Sequence, residues 1–156
     1  MDANMINPFI TATRNVLETM AFVTVKAGKP FLKKEDIAKG DVTGVIGITG
    51  AANGTIAITF EEACILKIVS NMFGEEMKKL DHEVADAVGE LTNMISGQAR
   101  KELEALGKIF DAAIPSVVSG KGHTITHYTD GPKIAIPFTT ESGGFCIEVC
   151  LEKMIE

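Results

Sequence analysis

Apolar residues recur along this chain with two different periods, and the places where the period changes mark out its elements. Phe9, Thr13, Val16, Leu17 and Met20 fall at helical spacing behind Asn7 and Pro8, which read as an N-cap and first-turn pair. "AFVTVKA" (21–27) reads as a strand and "GKPFLKKEDIAKGD" (28–41) as a solvated connection. From Val42 the period falls to two, and Val42–Thr49 and Thr55–Phe60 form a β-hairpin around "GAANG". Thr59 and Glu62 are spaced as a capping box for a short helix through Phe73, closed by Gly74. Asp81 then caps a longer helix to about Leu106, with Gly107 just past its end.

Strand-like runs return afterwards: "AIPSVV" (113–118), "HTITHY" (123–128), "KIAIPFT" (133–139) and "GFCIEVCLE" (144–152). The order is helix, three strands, short helix, long helix, then three or four strands. That is a weak internal duplication, each half a helix followed by a small antiparallel unit. The expected architecture is α/β (α+β), with helices packed on a largely antiparallel sheet, in a single domain over residues 1–156.

Composition narrows the function classes. With 46% hydrophobic and 23% charged residues the chain has the make-up of a globular protein. A net charge of −6, with the two signs dispersed, argues against nucleic acid and against an anionic membrane surface. There is no tryptophan and one tyrosine, so a stacking platform for bases is not expected. Val42 to Phe60 carries no charge and is long enough for a membrane span, but its glycines and central turn make it a hairpin. "MDANMINPF" has neither the charged nor the apolar region of a signal peptide, so a cytoplasmic protein is expected.

Cys64, Cys146 and Cys150 form no CxxC pair, and the last two lie about 13 Å apart along one strand face. Buried, reduced thiols are expected. His82, His123 and His127 have no Cys or carboxylate partner at ligand spacing, so no metal site is expected. "GITGAANG" has the glycines of a phosphate loop without the following Gly-Lys-Ser/Thr.

The stretch that asks for an explanation is "GELTNMISGQARKEL" (89–103). Val84, Val88, Leu91 and Ile95 fall within about 60° of one another on a helix and make its core stripe. Asp86, Glu90, Asn93 and Gly97 follow i, i+4, i+7, i+11 on the opposite side, and Arg100 and Glu104 extend the row. Most such polar rows are simply solvated. Solvation does not account for Gly97, which costs about 1 kcal/mol relative to alanine, or for Gly89 with a similar burden. A surface kept bare beside Glu90 and Asn93 suits close approach by another macromolecule.

"DAVGELTNMISGQARKEL" (86–103), followed by Pro115, resembles the signature of the CheC/CheX/FliY family of chemotaxis phosphatases. That signature is an acidic or serine residue, a Glu, an Asn and a downstream proline. Asp86, Glu90, Asn93 and Pro115 take those places, the proline one residue earlier than is usual. The "NPF" opening and the order of elements extend the resemblance over nearly the whole chain. In the first helix, "TRNVLE" holds Asn15 and Glu18 in reversed order, so the motif is absent there. One active helix per chain resembles the CheX-like members rather than the CheC-like ones.

The resemblance implies a phosphorylated CheY-like response regulator as substrate and partner. Asn93 would orient the attacking water, and Glu90 would pair with the regulator's active-site lysine. The protein would need no cofactor of its own, with Mg2+ expected on the regulator. Asp86, Gly97 and Arg100 are candidate partner contacts from their place on the outer face. A homodimer is expected, with "KIAIPFTT" and "GFCIEVCLE" offering low-charge edges that need covering. The alternative is a non-catalytic module of the same fold that binds a regulator or flagellar component.

Overall fold

The computed structural model describes residues 3–35, 37, 38, 40–125, 127 and 131–152. Among these described residues three helices, α1 (Ala3–Ala21), α2 (Glu62–Phe73) and α3 (His82–Ala105), pack on one sheet. Its strands are β1 (Lys26–Ala27), β2 (Phe31–Leu32), β3 (Val42–Gly50), β4 (Gly54–Phe60), β5 (Phe110–Ala112), β6 (Ser116–Ser119), β7 (Lys133–Thr140) and β8 (Gly143–Leu151). All pairings are antiparallel, in the order β1-β7-β8-β4-β3-β5, with β2 also on β7 and β6 also on β3.

That order contains a two-fold pattern. The hairpins β3–β4 and β7–β8 meet at the centre, where Ile58 pairs with Ile147. Each half then lends its two short strands to the other half's hairpin, β1 and β2 to β7, β5 and β6 to β3. The internal duplication inferred from the element order is therefore visible as an exchange of edge strands.

Alternation puts Ile46, Ile56, Ile58, Ile136, Ile147 and Val149 on the face under the helices, all within 1% of full burial. They join the apolar stripes of α1, α2 and α3 in one core. The opposite face is covered as well, since β4 is buried along its whole length. Ala38 and Ile125 close over Ala57 there. Beside them Lys33 Nζ donates to Glu148 Oε2 at 2.7 Å, and His127 reaches Glu148 Oε1 at 3.3 Å and Thr55. Burial alone would raise the Glu148 pKa, but hydrogen bonds from His127 and Lys33 and their charge hold it below the ordinary carboxylate value.

Several local expectations are corrected. Asn7–Pro8 does not start α1, because Met5 and Phe9 both enter the core and draw the helix back to Ala3, leaving Pro8 inside it. "AFVTVKA" gives only Lys26–Ala27 to the sheet. The helix runs on to Ala21, whose carbonyl accepts from Asn71 Nδ2 at 2.8 Å, and Phe22 turns the chain at φ 53°. The Thr59–Glu62 capping box is absent. Thr59 is buried against Thr43, and Asp41 Oδ2 accepts from the Glu62 N–H at 2.8 Å instead.

The "solvated" connection buries Lys33 and Ala38, because it covers the far face of the sheet. Of "HTITHY" the described part makes one bridge, Thr124 to Ile37, while Thr126 and Tyr128 lie outside the described residues. The edges of β7 and β8 are not open: β8 lies between β7 and β4, and β1 and β2 cover β7. Cys64 and Cys150 are buried and Cys146 is half-buried. Among the described residues no helix is long and apolar enough to cross a membrane.

Candidate functional site

α3 is held in place from below and at its start. Asp81 accepts from the Val84 N–H at 3.1 Å, the cap expected from the sequence. Val84, Val88, Leu91 and Ile95 are fully buried. Thr92, equally buried, turns its hydroxyl back to the Val88 carbonyl at 2.8 Å. Gly44 of β3 sits beneath it. A Cβ there would collide with Thr92 Oγ1 and come within 3.3 Å of Val88 Cγ1. The missing side chain of Gly44 thus fixes how closely α3 approaches the sheet, immediately under Asn93.

The outer face is as the spacing requires at three positions, whereas Gly97 and Arg100 are half-buried. Asp86, Glu90 and Asn93 are all exposed. Glu90 and Asn93 have no hydrogen bond or ion pair to any described residue. Asp86 Oδ2 lies 3.4 Å from His82 Nε2 in an exposed i, i+4 pair, so His82 does have a carboxylate neighbour. His127 also has one, Glu148, on the far face. The expectation of histidines without carboxylates failed because one partner is a helical turn away and the other is distant in sequence. Among the described residues no group of three or more His, Cys, Asp or Glu side chains could hold a metal ion.

Asp86, Glu90 and Asn93 form one wall of a cleft of about 560 Å³, and Ile114, Pro115 and Val117 form the other. The structure therefore brings Pro115 to the same cleft as Glu90 and Asn93. Gly97 and Arg100 do not line this cleft. They lie further along the helix, where Arg100 Nη2 would be 3.7 Å from a Cβ at position 97. At Gly89 an added Cβ would meet only Val117 Cγ2, at 3.5 Å. Both are ordinary contacts, so neither glycine is required by packing within the chain.

Ile114 was missed by sequence reasoning, which took "AIPSVV" as one strand. The signal that could have found it is Pro115, since proline inside a strand marks an edge or a bulge. A larger hollow of about 750 Å³ is lined by Phe22, Asn71, Glu75, Glu76 and Met77, but there the Asn71 amide is tied to the Ala21 carbonyl at 2.8 Å. Cys64 is no rival nucleophile: burial pushes its thiol up to about 11, leaving it protonated near neutrality.

The family model described as "Chemotaxis phosphatase CheX" matches residues 42–139, which run from the start of β3 through α3 to near the end of β7. The chain belongs to the CheX family of chemotaxis phosphatases. It is 36% identical over 122 residues to the CheY-P phosphatase CheX of Thermotoga maritima, covering 78% of this chain and 79% of that protein. Its fold is similar to the chemotaxis protein CheX from Vibrio vulnificus, with TM-score 0.90, 48% identity, and coverage of 96% of this chain and 100% of that one. It is also similar to the CheX–CheY–BeF3–Mg2+ complex from Borrelia burgdorferi, with TM-score 0.80, 28% identity, and coverage of 95% and 97%. CheX membership makes this chain a protein phosphatase, and the helices-on-antiparallel-sheet architecture expected from its sequence is the one these relatives share.

Proposed function

We propose that this CheX-family phosphatase hydrolyses the phospho-aspartate of a CheY-like response regulator. Asn93 orients the attacking water, and Glu90 docks on the regulator's active-site lysine. The observation that carries this is a carboxylate and a carboxamide one turn apart, exposed and unpartnered among the described residues, on a helix whose other side is locked in the core. A flexible surface pair would lose that register; this one has a rigid base.

The chemistry needs no more than such a pair. An acyl phosphate has a good leaving group and reacts through a loose transition state, so positioning supplies most of the acceleration. The Asn93 carbonyl accepts a hydrogen bond from water while its NH₂ donates to a nearby acceptor, which sets the water in line with phosphorus. The water oxygen bonds to phosphorus as the bond to the aspartyl carboxylate breaks, and inorganic phosphate leaves with the proton. The Mg2+ belongs to the regulator, and this chain brings no cofactor of its own. The Borrelia relative, solved with CheY, BeF3 and Mg2+, supports that class of partner.

Asp86 is a rim contact within the cleft, while Gly97 and Arg100 meet the partner's loops further along α3. The site belongs in the cytoplasm, where response regulators work. A homodimer remains part of this proposal, now on the edges that β1–β2 and β5–β6 leave open rather than on β7 and β8. Its mass by light scattering checks that separately.

The test is the rate of regulator dephosphorylation with and without the protein. Acceleration by wild type, and a fall in kcat/KM of roughly 10-fold or more for Glu90→Ala, is expected from loss of a charge-assisted docking contact. No acceleration of a CheY-like regulator from the same organism would refute the proposal.

A further inference from the structure

The connection between β5 and β6 is a β-bulge. Ala112 pairs with Ile48 and Ser116 with Val45, so residues 113–115 face only Ile46 and Gly47. The extra residue throws Ile114 outward, where it is 89% exposed, the most exposed large apolar side chain among the described residues. It stands on the wall across the cleft from Glu90 and Asn93.

The other half of the molecule supplies an internal control. Ala27 pairs with Phe138 and Phe31 with Ala135, so residues 28–30 face only Ile136 and Pro137 in the same way. Gly28 N–H donates to the Pro137 carbonyl at 2.7 Å, as Ala113 N–H does to the Gly47 carbonyl at 2.9 Å. Both bulges end in proline, Pro30 and Pro115. The first residue is Gly28 in one and Ala113 in the other, and the tip is an exposed Lys29 in one and Ile114 in the other. The bulge therefore does not ask for an apolar tip. A lysine serves where no acid–amide pair stands opposite, and an isoleucine is kept in water where one does.

We infer that Ile114 is a docking residue of the phosphatase site. It seats in an apolar hollow beside the phospho-aspartate of the regulator while Glu90 and Asn93 enter that partner's active site. The inference rests on the proposed function and adds the second half of the contact. The partner must present a cation for Glu90 and an apolar depression on the same face. Moving Ile114 from water into such a depression is the gain its exposure in the free protein withholds.

The experiment measures kcat and KM on a phosphorylated CheY-like regulator for wild type, Ile114→Lys and Ile114→Val, with thermal melts and masses alongside. Ile114→Lys installs the side chain that the twin bulge already carries, so the fold should be unaffected. The expected result is a KM raised roughly 10-fold or more with kcat within about 2-fold, and a near-normal KM for Ile114→Val. A wild-type KM for Ile114→Lys, or a loss explained by altered mass or melting, overturns the inference. If wild type turns over the regulator and Ile114→Lys behaves identically, only this inference falls. If wild type gives no turnover, the proposed function falls and takes this one with it.

Discussion

In α1 the buried residues Met5, Pro8, Phe9, Ala12, Thr13 and Val16 repeat the spacing of Val84, Ala87, Val88, Leu91, Thr92 and Ile95 in α3. Both helices also turn a buried threonine back on its own backbone, Thr13 to the Phe9 carbonyl at 2.6 Å and Thr92 to the Val88 carbonyl at 2.8 Å. With that alignment the positions matching Glu90 and Asn93 are Thr11 and Arg14, and the one matching Gly97 is Glu18. The core-facing side of the two helices is therefore the same solution used twice. What differs is outside: two exposed positions on the helix, one bare position beyond them, and the residue at the tip of a bulge. Folding constrains none of these four places. Their contents in the second half call for a partner to explain them.

The largest expected effect breaks what the halves share. Lys33, from the first half, is tied to Glu148 of the second, and His127 shares that carboxylate. Glu148→Ala leaves Lys33 buried and unpaired and should cost about 3–5 kcal/mol, read by chemical denaturation. The same carboxylate sets an acid limit. Its pKa is lowered in the folded protein, so its stabilisation is complete above the ordinary carboxylate range and is lost as pH falls through the folded value. Glu148→Gln should flatten the fall in stability below about pH 4.

A smaller effect separates the halves. Gly44→Ala pushes a Cβ into Thr92 and lifts α3 from the sheet, at a cost of about 1–3 kcal/mol and with reduced turnover. Gly97→Ala acts in the opposite direction. It meets only Arg100, so it should stabilise the protein by about 1 kcal/mol while weakening regulator binding, seen by melting and titration together. The smallest effect is the transplant. Thr11→Glu with Arg14→Asn writes the pair into α1, yet Lys29 and Glu18 remain, so turnover per chain should change by less than about 2-fold. A doubled rate would mean that the helix pair alone makes a site.

Much of this was legible in the sequence where one local rule acts alone. α3 carries its cap, its 3.6-residue stripe and its terminal glycine, and its outer row of Asp86, Glu90 and Asn93 follows from spacing. The β3–β4 and β7–β8 runs alternate cleanly, and both pair as hairpins. What was illegible depends on contacts distant in sequence. Asp41 caps α2 from beyond the hairpin, and the core draws α1 past its proline. The edge strands are broken by bulges whose register only their partners on β3 and β7 define. Ile114 belongs to that class. Pro115 marks a break within "AIPSVV", but only the pairing with β3 says which residue is expelled, whereas the row on α3 needs only the helix itself.

The most direct measurement separates docking from chemistry at Asn93. Wild type and Asn93→Ala are titrated against a regulator loaded with beryllofluoride, and their single-turnover dephosphorylation is timed at saturating protein. Binding within a few-fold of wild type is expected, with a chemical step slowed by roughly 100-fold or more through the loss of a positioned water. An unchanged rate at saturation, with Asn93→Ala bound as tightly as wild type, would contradict that role for Asn93.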